Sequence, residues 1–176
     1  MNLFIDYIKN AKIFSRFLLG KIICRKIDNE VLKAKIVETE AYFDERDPAS
    51  RACYNGDLKK TMEMCAGTIL VYGVHNNWLM NIVTGKEGEA QAVLIRAVEP
   101  LNFDKKTNGP GLLTKALCID KSFHKKNIFK NDLIWLEENL VKEEFGIIES
   151  FRIGVKKDLS EKLRFYIEDN KFVSRK

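Results

Sequence analysis

Short apolar runs divided by turn signals recur along most of the chain, and they leave room for few long helices. Residues 21–27 and 31–43 read as two strands joined by a turn at Asp28-Asn29. Three further apolar runs, 68–72, 78–84 and 92–98, are the expected centre of a sheet. Strand candidates continue at 133–136, 147–155, 163–167 and 171–174. Helical spacing is confined to two places. Phe4, Ile5, Ile8, Ala11, Phe14, Phe17 and Leu18 share one helical face that stops at Gly20, and a short helix at 112–117 follows the breaker Asn108-Gly109-Pro110-Gly111. Residues 44–60 read as a long polar loop, and loops of that length are often functional. The pattern predicts an α+β fold, a single domain over 1–176 with a mostly antiparallel curved β-sheet core flanked by a few helices.

A chain of 176 residues, 45% apolar and 31% charged, has the size and balance of one globular domain, which excludes disorder and a membrane bundle. Its 30 Lys+Arg against 25 Asp+Glu give a net charge of +5, which permits a polyanionic partner without demanding one. Residues 1–20 lack the basic start and unbroken apolar run of a targeting segment. No stretch approaches the roughly 20 apolar residues of a membrane helix, so no membrane partner is expected. Cys24, Cys53, Cys65 and Cys118 are scattered, and His75 and His124 are the two histidines. That supply makes a zinc site improbable, so no metal is expected, and it fits a reduced cytoplasmic setting, nucleoid-associated in a prokaryote.

Polar residues interrupt the apolar strands at three points. Along 31–43, regular alternation puts Leu32, Ala34, Ile36, Glu38, Glu40 and Tyr42 on one face, and its apolar half points that face inward. Either Glu38 or Glu40 then meets the core, where a carboxylate needs a partner, or the strand frays after Val37 and both acids are solvated. Asn81 sits inside Leu79-Met80-Asn81-Ile82-Val83, and Arg96 inside Val93-Leu94-Ile95-Arg96-Ala97-Val98. A guanidinium there calls for an anion, and Glu40 or Glu38 is available; a purely structural ion pair meets the same need. Together a Glu, an Asn and an Arg on three strands outline a polar pocket. Tyr42, Tyr72, His75 and Trp78 are candidate stacking residues, although strand aromatics mostly serve cores. The Gly109-Pro110-Gly111 turn and the Lys-Lys pairs read as an ordinary turn and solvated surface, and His124 is expected to be exposed.

Ile36-Val37-Glu38-Thr39-Glu40-Ala41-Tyr42 resembles the signature of the alkyladenine (3-methyladenine) DNA glycosylase family. Further stretches match in the same order: Asp47-Pro48-Ala49-Ser50, Gly67 to Tyr72, Met80 to Val83, Ala92 to Pro100, Asn108 to Leu117, Arg152-Ile153-Gly154-Val155 and Leu163 to Ile167. The resemblance implies a monofunctional enzyme, acting on double-stranded damaged DNA, that flips out damaged purines and hydrolyses the N-glycosidic bond without a cofactor. It also implies roles. Glu40 matches the base that activates water and Arg96 the arginine that helps hold that water. Tyr42 and Tyr72 match the aromatics flanking the flipped base, and Asn81 the residue that discriminates against guanine's amino group.

Two departures stand out. Arg51 replaces the family's histidine after the Asp-Pro-Ala-Ser loop, and its permanent charge disfavours cationic bases such as 3-methyladenine relative to neutral ones such as hypoxanthine. The hairpin from Tyr72 to Trp78 is shorter than the family's, so His75 or a neighbouring Asn becomes the DNA wedge. The rival readings are a catalytically impaired nucleic-acid-binding module on the same scaffold and a glycosylase/lyase using a lysine amine, the latter disfavoured because no lysine lies in the apolar strands around the expected pocket. A monomer is expected, since nothing requires a dimer.

Overall fold

The computed structural model describes residues 3–141 and 143–175. The chain runs α1 (Leu3–Tyr7), α2 (Ala11–Leu18), β1 (Ile22–Ile27), β2 (Glu30–Tyr42), α3 (Asp57–Met62), β3 (Ile69–Val74), β4 (Asn77–Val83), β5 (Ala92–Pro100), α4 (Pro110–Ala116), β6 (Ile134–Glu137), β7 (Ile147–Ser150) and β8 (Arg164–Ile167). One antiparallel sheet holds all eight strands in the order β3-β4-β5-β2-β1-β6, with β8 also on β2 and β7 on β8. This is the α+β domain expected, with the sheet curled into a half-barrel.

The long strand β2 organises the sheet. On one edge it pairs with β5 from Ala34 to Tyr42. On the other it pairs with β1 through residues 30–35 and then with β8 through Glu38, Thr39 and Glu40. The β2–β5 register is disturbed on both sides of Glu38 yet returns to its starting alignment. The strand therefore neither frays nor slips, and its period-2 alternation survives to Tyr42.

Asn10 divides the expected first helix. Its backbone is extended and its side chain accepts the N–H groups of Lys12 and Ile13, so it starts α2 as an N-cap. Gln91 accepts the N–H of Ala11 at 3.0 Å. Ala11, Phe14 and Leu18 then face the sheet, fully buried, and Thr39 donates its hydroxyl to the carbonyl of Ser15 at 2.9 Å. At Gly20, with φ +83°, the chain turns into β1, and a Cβ there would lie 2.9 Å from the ring of Phe145.

Three further expectations change. The loop at 44–60 contains a 3-10 turn at Arg51–Cys53 and α3, which cover a second small core of Ala52, Met62, Leu70, Val83, Ala90 and Ala92. The strand expected over 147–155 stops at Ser150, because the segment beyond it turns its polar groups onto β2. Residues 171–174 form no strand; their backbone caps a buried carboxylate instead.

Phe14 fills the space between α2 and the sheet, so Phe14→Ala is expected to lower stability by about 3–5 kcal/mol. Urea unfolding monitored by circular dichroism measures this; a loss below about 1 kcal/mol would show that α2 does not depend on that contact.

Candidate active site

Glu38 and Glu40 both lie on β2 with no exposed surface, and Arg96 of β5 reaches between them. Their surroundings differ. Glu38 accepts four hydrogen bonds: from Arg164 Nε at 2.7 Å, Arg96 Nε at 3.2 Å, and the backbone N–H and hydroxyl of Ser174 at 2.7 and 2.9 Å. It is a structural anion held by two guanidinium groups. Glu40 accepts the hydroxyl of Tyr42 on Oε2 at 2.7 Å and the N–H of Ile153 on Oε1 at 2.8 Å, with Arg96 Nη1 3.3 Å away. Burial pushes its carboxyl above the usual carboxylate range; Arg96, the Ile153 N–H and the Tyr42 hydroxyl oppose the shift, and the charge of Glu38 adds to it. The Tyr42 phenol is raised well above its ordinary value by burial and by Glu40 beside it.

Above this pair opens a cavity of about 780 Å³, within the range of small-molecule sites. Tyr42, Arg51, Tyr72, His75 and Arg96 line it, as does Ile153. Glu40 lies one layer beneath, behind its three partners Tyr42, Ile153 and Arg96, all of which face the cavity. Asn81 of β4 is also buried beneath the lining; its amide donates to the carbonyl of Leu70 at 3.3 Å. Burial raises the Tyr72 phenol, with Arg51 and Asn81 opposing it, and the Arg51 guanidinium stands 4.8 Å over the Tyr72 ring. The structure thus brings five predicted residues onto one surface and sets Glu40 and Asn81 directly below it.

The lining is cationic. Arg51, Arg96, Lys156 and Lys157 contribute, and the described lining residues include no carboxylate. The lysines stand on the loop after β7, so one of the pairs read as plain surface belongs to this wall. A second cavity, of about 650 Å³, is lined by Asp44, Glu45, Asp47, Glu63 and Glu89 against only Arg46 and Lys59, which makes it a poor seat for a polyanion. Among the described residues no group of three His, Cys, Asp or Glu side chains is arranged to hold a metal, and no helix is long and apolar enough to cross a membrane.

The β3–β4 hairpin turns on His75 and Asn76, with φ +47° and +60°, a two-residue turn with both central residues left-handed. Asn77 packs against Gly111 so tightly that a Cβ there would sit 2.7 Å away, which docks the hairpin on α4. His124, expected at the surface, is instead largely enclosed. Its Nδ1 accepts the N–H of Val71 at 3.1 Å and its Nε2 lies 2.9 Å from Asp57. Sequence reasoning also missed Arg152, Arg164 and Ser174. A lone arginine between Phe151 and Ile153 was a signal for the first; the others draw their meaning from contacts far along the chain.

The sequence profile of the methylpurine-DNA glycosylase family matches residues 5–171. A Clostridium tetani protein provisionally named 3-methyladenine DNA glycosylase is 38% identical, with 97% of each chain covered. Its Borreliella burgdorferi namesake is also 38% identical at the same coverage. An Aeropyrum pernix protein of that provisional name is 39% identical over 96% of this chain and 90% of its own. The chain belongs to the methylpurine-DNA glycosylase family.

The two acids are expected to respond oppositely to loss of charge. Glu40 binds its proton more tightly folded than unfolded, so above the ordinary carboxylate range it costs stability, and below that range the cost disappears. Glu40→Gln is therefore expected to raise the unfolding midpoint at neutral pH, with the gain shrinking as the solution is acidified. Glu38→Gln leaves two buried guanidinium groups short of their anion and is expected to cost about 3–5 kcal/mol. Thermal melts of both variants from pH 4 to 8 decide it; equal losses would mean that the acids do not differ in role.

Proposed function

We propose that this member of the methylpurine-DNA glycosylase family is a monofunctional hydrolase that excises alkylated or deaminated purines from double-stranded DNA. The target nucleotide leaves the stack, because its glycosidic bond is out of reach inside the duplex. The purine enters between Tyr42 and Tyr72, and His75, at the hairpin tip, fills the gap it leaves. Asn81 disfavours the exocyclic amino group of normal guanine. Glu40 accepts a proton from water as the water oxygen bonds to C1′, and the purine departs with the electrons of the C–N bond. Arg96 keeps Glu40 and the water in place, and the carboxylate stabilises the positive charge that grows on the sugar.

The observation that carries this reading is Glu40 itself: fully buried, its proton affinity raised, and enclosed by three groups that face a cationic cavity. A module that only binds DNA has no use for such an acid, whose burial is unfavourable. Lys156 and Lys157 on the lining are the observation in favour of a lyase route through a lysine amine. Borohydride trapping tests that route, and no covalent protein–DNA adduct is expected.

Incubation with a hypoxanthine- or methylpurine-containing duplex followed by alkaline cleavage is expected to show excision by the wild type. Glu40→Gln is expected to be slower by about 10²–10⁴-fold, and unchanged activity in that variant removes the mechanism. The acid limb of the pH–rate profile is expected above the usual carboxylate range, since burial raises the carboxyl that must be ionised.

Arg51 sets the lesion preference. Its cation over Tyr72 repels a positively charged base, so hypoxanthine is favoured over 3-methyladenine in matched duplexes. Arg51→Gln is expected to shift the ratio toward 3-methyladenine by about 10-fold. Equal single-turnover rates on the two lesions would contradict this assignment.

A further inference from the structure

Arg152 lies in the loop after β7, and its guanidinium is wholly enclosed. A guanidinium has five N–H donors, and here each has an acceptor. Nε and Nη2 donate to Asp158 Oδ1 at 2.9 and 2.5 Å, and Nη2 also donates to Asp47 Oδ1 at 2.7 Å. Nη1 donates to Asp47 Oδ2 at 2.6 Å and to the carbonyl of Ala41 at 2.9 Å. The group also stands 4.6 Å behind the Tyr42 ring. No donor is left for a substrate, so any effect of Arg152 on the reaction passes through what it holds.

What it holds is the site. Ala41 and Tyr42 end β2, next to Glu40. Asp47 accepts the N–H groups of Phe43 and Ala49, ordering the turn that leads to Arg51 on the cavity wall. Asp158 accepts the backbone N–H of Arg152 itself at 3.2 Å, which fixes the chain one residue before Ile153. The next N–H along the chain is the one that binds Glu40 Oε1 at 2.8 Å.

We propose that Arg152 is a positioning residue: joined to Asp47 and Asp158, it aims the Ile153 N–H at Glu40 and backs Tyr42, so that the carboxylate is held in one orientation beneath the cavity. The proposal rests on the reading of Glu40 as the base. The charged and titratable groups facing Glu40 are Glu38 and Tyr42 from β2, Arg96 from β5 and Tyr72 from β3, with Arg164 of β8 engaged by Glu38. Of the groups that stabilise ionised Glu40, the Ile153 N–H is the one whose backbone Arg152 pins directly. Losing that bond favours the protonated acid, so the acid limb of the rate profile moves to higher pH.

The test compares Arg152→Lys and the milder Asp158→Asn with the wild type. Asp158→Asn retains the Asp47–Arg152 pair but places an amide N–H₂ near the N–H of residue 152, which keeps the test open if the lysine variant fails to fold. For Arg152→Lys the single-turnover rate is expected to fall by about 10–10²-fold. The half-saturating concentration is expected to change little and the acid limb to move up in pH. Asp158→Asn follows in the same direction by a smaller amount. In DNA-free protein, the ¹⁵N-labelled Ile153 amide is expected to titrate with Glu40, and its midpoint to rise in both variants. Rates that fall only with the folded fraction, or an acid limb that stays in place, overturn the proposal. An inactive wild type whose Ile153 amide still titrates as described removes the glycosylase reading and leaves the contact standing; an amide indifferent to Glu40 removes the contact.

Discussion

Two carboxylates two residues apart on one face of a buried strand dominate the charge balance of this interior. Neither Glu38 nor Glu40 exposes surface to bulk solvent, so each must find its donors within the fold. Arg96 crosses from β5 to meet both, Arg164 arrives from β8, and Ser174 brings its backbone from beyond the last strand. The partner switch of β2, from β1 to β8, is what sets Arg164 beside Glu38. Sheet topology and electrostatics are thus one problem here. The surplus of donors on Glu38 makes it part of the frame, and the thinner set on Glu40 leaves its proton affinity raised by burial.

The same division explains what was legible in the sequence. Alternation along 31–43 put Glu38 and Glu40 on the inward face, and the apolar runs around Asn81 and Arg96 marked those strands as central. Periodicity is a local property, and these features are local. The remaining partners of Glu38 were not local: Arg164 and Ser174 lie 126 and 136 residues from it and carry no mark that pairs them with it. Arg152 was hidden for another reason. Its neighbours Phe151 and Ile153 make 147–155 look like one strand, whereas the donors of Arg152 draw the chain out of the sheet after Ser150. The split of the first helix followed from Asn10, whose capping chemistry is a known signal that the apolar spacing around it masked. His124 was misplaced because its partners, the N–H of Val71 and the carboxylate of Asp57, lie 53 and 67 residues away along the chain and carry no local mark.

Two cavities of comparable size sit on this small molecule, and volume does not choose between them. Charge does. One is walled by carboxylates that a phosphate backbone would avoid; the other gathers arginines and lysines from three separate loops and strands. A modest net charge of +5 therefore understates how unevenly the charge is distributed. The hairpin on β3 and β4 adds shape to that field, since a left-handed turn without glycine, docked on α4 through Asn77 and Gly111, has little freedom left.

The distance along the chain between Glu38 and the backbone of Ser174 has a consequence for biosynthesis. A ribosome that has just added Glu38 must add 136 residues before the N–H of Ser174 exists to complete its donor set. Until then the nascent polypeptide holds a strand whose acids are best left hydrated, and early compaction around it is opposed by desolvation. Maturation of this interior is consequently a late, concerted event, and a transcript cut short yields a product without its charge-balanced centre.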